Sequence, residues 1–205
     1  MNCDGIARWY RWLEYAGFGR ALERRRGALL HQVTGVRRAL VLGDGDGRGA
    51  AALLRVNSQV EVDYVELSAR MLDLARARAG SDRVMYHRAD ALTMPLKEGA
   101  YDLVVTHFFL DCFDAPEQRR LVERVRPALC EDGRWLVSEF RRPGLLVALL
   151  YRFFNVTTGL RTRELVDHHL AFGLQGFRMD AVETAFGARL VSELWSNQGY
   201  RSRSM

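Results

Sequence analysis

The sequence predicts an α/β domain, a mostly parallel seven-stranded sheet in three layers, and three observations carry that prediction. From Val36 onward, short β-rich runs alternate with helical stretches, the pattern of parallel strands joined by helices on both faces. The stretch ALVLGDGDGRGAAALL, Ala39 to Leu54, passes from an apolar run through a glycine-rich turn into small residues suited to a tightly packed helix. Near the end, RMDAVETAFGARLVSELW holds two β-like runs around Gly187, an antiparallel hairpin at the sheet edge.

The strands are expected at Ala39 to Leu42, Val60 to Val65, Val84 to His87, Leu103 to Phe108 and Arg134 to Phe140. Helices are expected at Arg48 to Asn57, Ser68 to Ala79 and Pro116 to Leu129, the last started by Asp114 with Glu117 at capping-box spacing. Asp132-Gly133 reads as the turn into the strand that follows. Residues 1–35 form an arginine-studded aromatic helical segment, expected as a lid, and residues 36–205 form the ligand-binding domain.

Length and composition set bounds. With 205 residues, 48% of them hydrophobic, the chain can bury one substantial core. Arginine and lysine outnumber acids 30 to 25, yet Lys97 is the single lysine and the arginines are spread out, so the charge gives no sign of a nucleic-acid groove. Cys3, Cys112 and Cys130 lack zinc-like spacing, so no metal site is expected, and free thiols fit a reducing, cytoplasmic setting. The apolar run PGLLVALLY is far shorter than the roughly 20 residues that span a bilayer.

The glycine loop poses the functional question, because such turns cradle nucleotides. Glu66 stands 19 residues after Gly47, at the end of the next strand run, where an acid can accept hydrogen bonds from both ribose hydroxyls. Asp44 and Asp46 would set two carboxylates against a pyrophosphate, so nicotinamide dinucleotides are disfavoured. A sulfonium and an ammonium would be attracted to the same place. S-adenosyl-L-methionine carries both beside its adenosine, and Gly43, Gly45 and Gly47 give GxGxG, where a dinucleotide fingerprint wants GxGxxG.

Arg37 to Phe140 resembles the core of the class I S-adenosylmethionine-dependent methyltransferases, with a Rossmann-like sheet. LVLGDGDGR resembles the family's first motif, YVELSARMLDLAR its second, YHRADAL its third, YDLVVTHFFLD its fourth and LCEDGRWLVSEF its fifth. One departure is Val41, where the family usually has an acid; Asp44 or Asp46 is the substitute for contact with the methionine part. The resemblance implies Glu66 on the ribose, Leu67 and Met71 flanking the adenine, Asp90 and Ala91 at the adenine edge, and Thr106 and His107 lining the site. DGIARWYRWLEY, LLVALLYRFFNVTTGL and LVDHHLAFGLQGF resemble flanks of the ubiquinone and menaquinone C-methyltransferase group, which places Tyr10 over the cofactor.

The acceptor implied is a small, aromatic or apolar molecule methylated at oxygen or carbon. An RNA or protein methyltransferase and a non-catalytic cofactor-binding partner subunit are the alternatives. His107 is the first candidate base, then Asp111, with Tyr151, His168 and His169 behind them. The amphipathic N-terminal helix also suits peripheral contact with a membrane surface or a second copy in a homodimer.

Overall fold

Seven apolar runs pair side by side, and their alternating side chains divide the interior in two. The computed structural model describes residues 19–141 and 166–198. Its strands are β1 (Arg38–Leu42), β2 (Glu61–Glu66), β3 (Val84–Arg88), β4 (Tyr101–His107), β5 (Leu129–Phe140), β6 (Phe177–Ala185) and β7 (Leu190–Asn197), in the sheet order β3-β2-β1-β4-β5-β7-β6. The first five pair in parallel, and β7 runs antiparallel between β5 and β6. The expected parallel sheet with an antiparallel C-terminal hairpin is thus observed.

Side-chain parity assigns each residue to a layer. Ala39 and Val41 of β1 join Val62, Tyr64, Leu103, Val105, Leu136 and Leu194 on one face. That face is covered by helices α2 (Arg48–Val56) and α3 (Ala69–Ala79), preceded by α1 (Ala21–Gly27). Leu40 and Leu42 join Val104, Trp135, Val137 and Trp195 on the other, under α4 (Ala115–Val125) and the short α5 (His169–Leu174). Leu29, Leu30, Val33 and Val36 lie in the first core, so packing is continuous across residue 35. The lid segment proper, with Tyr10, lies outside the described residues, as does Tyr151.

Two local expectations change. The helix expected at Pro116 to Leu129 ends at Val125, a single 3₁₀ turn follows over Arg126–Ala128, and β5 begins at Leu129. Asp132-Gly133 is not a turn between elements but part of β5, where the register with β4 slips between Tyr101 and Leu103. A Cβ on Gly133 would stand 2.9 Å from the Cys130 carbonyl oxygen, so the bulged backbone folds closely on itself there.

The capping box is built as expected. Asp114 Oδ1 accepts from the Glu117 N–H at 2.9 Å, and Glu117 Oε2 accepts from the Asp114 N–H at 3.3 Å. Asp114→Ala should lower stability by about 1 kcal/mol, read from urea denaturation. No helix among the described residues is long and apolar enough to cross a membrane.

Candidate cofactor site

The site begins where β1 ends. Gly43, Gly45 and Gly47 all adopt left-handed backbone conformations, with φ of 62°, 58° and 79°. Two of them show different uses of a missing side chain. A Cβ on Gly47 would lie 2.8 Å from Ala75 Cα, so this glycine lets α2 approach α3. Among the described residues, a Cβ on Gly45 would meet only Met71 Sδ at 3.9 Å, so none of them fills that face of the loop. Met71 is itself 1% exposed, a core residue that floors the loop.

Glu66 stands beside this loop at the carboxyl end of β2. Its Oε1 accepts from the Ser68 N–H at 2.9 Å. Burial pushes the carboxyl up, while the backbone N–H groups of Ser68, Gly45 and Leu67 hold it down and orient it. Leu67 is 39% exposed, and Ala91, three residues past the end of β3, is buried. Asp90 is exposed, and its Oδ1 accepts from the Leu92 N–H at 2.9 Å, which closes its own turn.

Both loop aspartates have arginine partners. Asp46 accepts from Arg48 Nε at 2.8 Å and from Arg78 Nη2 at 3.0 Å, so two guanidiniums already neutralise it. Asp44 is buried; its Oδ2 accepts from the Ala50 N–H at 2.9 Å, and its Oδ1 lies 3.8 Å from Arg26 Nε. Desolvation raises its carboxyl to about 6, against the pull of Arg26 and the Ala50 N–H. Oδ1 has no hydrogen-bond partner among the described residues, a buried polar atom left over at the mouth of the site.

His107 and Thr106 part company. Consecutive strand residues face opposite layers, so both cannot line one pocket. Thr106 is fully buried and its Oγ1 accepts from the Trp135 indole N–H at 3.0 Å, in the far core. Its expected place against the cofactor is corrected accordingly. His107 faces the loop: a Cβ on Gly49 would meet His107 Cδ2 at 2.5 Å and Asp44 Oδ1 at 2.6 Å. Burial, with Arg26 next, lowers its pKa to about 3. Neither ring nitrogen has a hydrogen-bond partner among the described residues. A neutral imidazole that resists protonation is a poor proton acceptor, which corrects its casting as the base.

Three residues of the site escape a linear reading. Arg26, 4% exposed, comes from α1 and stands over the Phe108 ring at 5.1 Å as well as beside Asp44. Arg26 is the last of three successive arginines, and only its helical phase marks it as inward. Phe109 packs against Gly43, where a Cβ would fall 2.0 Å from its ring. Glu139 Oε1 accepts from the N–H groups of Phe109 and Leu110 at 3.0 and 2.8 Å. Burial, with Asp111 adding to it, pushes the Glu139 carboxyl well above its usual range, against the pull of the Phe109 and Leu110 N–H groups. Phe108, at φ 53°, shows the strain of the turn. Asp111 lies half-buried in the 3₁₀ turn that follows (Leu110–Cys112). His168 and His169 meet instead on β7.

A left-handed glycine loop and an oriented acid at the neighbouring strand end fit an adenosine ligand. The comparisons concern the same segment. Residues 39–133 match the family model described as a methyltransferase domain. Over 107 residues the chain is 34% identical to a demethylmenaquinone methyltransferase of Clavibacter sepedonicus, covering 52% of this chain and 42% of that protein. Over 123 residues it is 32% identical to a demethylmenaquinone methyltransferase of Deinococcus radiodurans, covering 58% and 50%. The chain thus spans about half the length of the curated relatives it matches.

Among solved structures, the mitomycin 7-O-methyltransferase MmcR superposes with a TM-score of 0.70 at 18% identity, over 96% of this chain and 61% of that one. The N-methyltransferase NodS of Bradyrhizobium japonicum WM9, in complex with S-adenosyl-L-homocysteine, does so with 0.69 at 14%, over 95% and 98%. These two likenesses speak for the fold. Sheet order, glycine loop and the match to the methyltransferase-domain model thus fall on one segment, residues 39–133, set in a sheet that runs on to residue 197.

Proposed function

We propose that the chain is an S-adenosyl-L-methionine-dependent methyltransferase acting on a small aromatic or apolar molecule at oxygen or carbon. The observation that carries this reading is the left-handed loop at Gly45 beside the oriented carboxylate of Glu66. Bound there, the cofactor supplies an already activated methyl group. The chain's own residues then bind and orient: Glu66 takes the ribose hydroxyls, Leu67 and Met71 flank the base, and Asp90 with the Ala91 backbone meets its edge. Asp44 offers negative charge to the methionine part.

Positioning does most of the remaining work, since in-line approach of an acceptor is worth several orders of magnitude in rate. Asp111 is the candidate for the acceptor's proton, because it lies half-buried beyond the end of β4, whereas His107 is sealed below the loop. Tyr10 and the rest of the N-terminal aromatic segment are proposed to cover the opening. The demethylmenaquinone methyltransferase relatives support a small, largely apolar acceptor.

The test is a thermal-shift and calorimetric comparison of S-adenosylhomocysteine with NAD. The homologue of the cofactor should stabilise the fold by mass action and NAD should not. Glu66→Ala should weaken binding by about 1–3 kcal/mol, the worth of hydrogen bonds to a charged group. Equal stabilisation by NAD would remove the proposal.

A further inference from the structure

Outside the cofactor site, the two histidines at the start of α5 converge on one carboxylate of β7. Glu193 is fully buried. Its Oε2 lies 2.7 Å from His168 Nε2 and its Oε1 lies 2.8 Å from His169 Nε2. The Trp195 indole N–H donates to Oε2 at 3.1 Å, which fixes the carboxylate from a third side. One ligand atom from each of the three residues lies within 4.8 Å of the others.

The second ring nitrogen of His169, Nδ1, stands 3.4 Å from Asp167 Oδ1. Metal-ligating histidines carry this same arrangement, one nitrogen toward the ion and the other toward a carboxylate.

We propose that His168, His169 and Glu193 bind one divalent transition-metal ion of zinc type, a site absent from the cysteine-based expectation. Two imidazoles and a carboxylate suit Zn²⁺ or Co²⁺ and disfavour Mg²⁺, which prefers oxygen and water. Atoms each about 2.1 Å from one ion stand at most about 4.2 Å apart, so a small rotation of a ring closes the triangle. His169 has the freedom for it, with a side chain 28% exposed, and the same exposure leaves a fourth position open to solvent. The ion would pin the start of α5 to the middle of β7, adding to the direct Phe172–Trp195 ring contact between the two elements.

The experiment is calorimetry on the full chain, freed of metal by a chelator, with Zn²⁺, Co²⁺ and Mg²⁺ in turn. Expected are one Zn²⁺ per chain, a Co²⁺ absorption spectrum of low-coordinate N/O type, and no heat from Mg²⁺. His169→Ala should lose the zinc. Asp167→Asn, at a side chain 76% exposed and safe for folding, should weaken it about tenfold or more by releasing the ring. Zinc bound equally by the wild type and both variants would overturn the proposal and assign the metal to thiols. An absence of zinc binding would overturn it too, and leave a proton between His169 and Glu193.

Discussion

Trp135→Ala should cost about 3–5 kcal/mol of folding free energy, the range for removing a large aromatic side chain from a core. Trp135 is 0% exposed, with Phe172 and Phe177 ring centroids 4.8 and 5.9 Å from its own. Few atoms can move into the space it would vacate, because those rings belong to a short helix and a strand fixed by β7. The truncation also strands the Thr106 hydroxyl, which loses the indole N–H it accepts. Denaturant unfolding of the variant beside the wild type reads the loss. A change below about 1 kcal/mol would mean that α5 closes onto the gap.

The second large effect concerns pH. The folded state holds the Asp44 proton up to about pH 6, whereas the ordinary value for an aspartate is 3.8. Between those values the native chain carries a proton that the unfolded chain has released, so stability falls as pH rises through this window. The whole contribution is on the order of 3 kcal/mol, present below the lower value and lost above the upper. Asp44→Asn removes the titration. Compared at pH 4.5 and 7.5, the wild type should therefore gain on acidification about 2 kcal/mol relative to the variant, read as a difference of unfolding free energies. Parallel pH dependences in the two proteins would show that the carboxyl titrates normally. In the proposed enzyme, a bound cation favours the ionised form, so affinity for a sulfonium should rise with pH through the same window.

Much of the sheet is legible in the sequence because its parallel strands are buried on both faces and spell nearly continuous apolar runs, such as ALVL and LVVT. The glycine loop and Glu66 are legible for a related reason: fixed spacing along one β-α-β unit puts them side by side. The start of β5 is not, since Asp132-Gly133 has the chemistry of a turn and only pairing with β4 makes it strand. The same limit applies to Arg26, Glu139 and the His168, His169 and Glu193 cluster, whose partners arrive from distant elements. Thr106 could have been read correctly, because two-residue periodicity alone sends it away from His107.

The place of β7 between β5 and β6 sets an order on assembly. Trp135 and Val137 emerge long before Phe172, Phe177 and Trp195, which complete their face of the sheet. A chain still growing on the ribosome can pair β1 to β5 early, since those contacts join neighbouring elements. It then exposes one side of β5 until the last strand has been made and threaded into the gap. Contacts of such long sequence separation form slowly, and an open strand edge in the meantime invites association with other chains. Shortening this interval, by avoiding slow translation between β5 and β7, or shielding the open edge with a chaperone, is the lever for obtaining the protein in folded form.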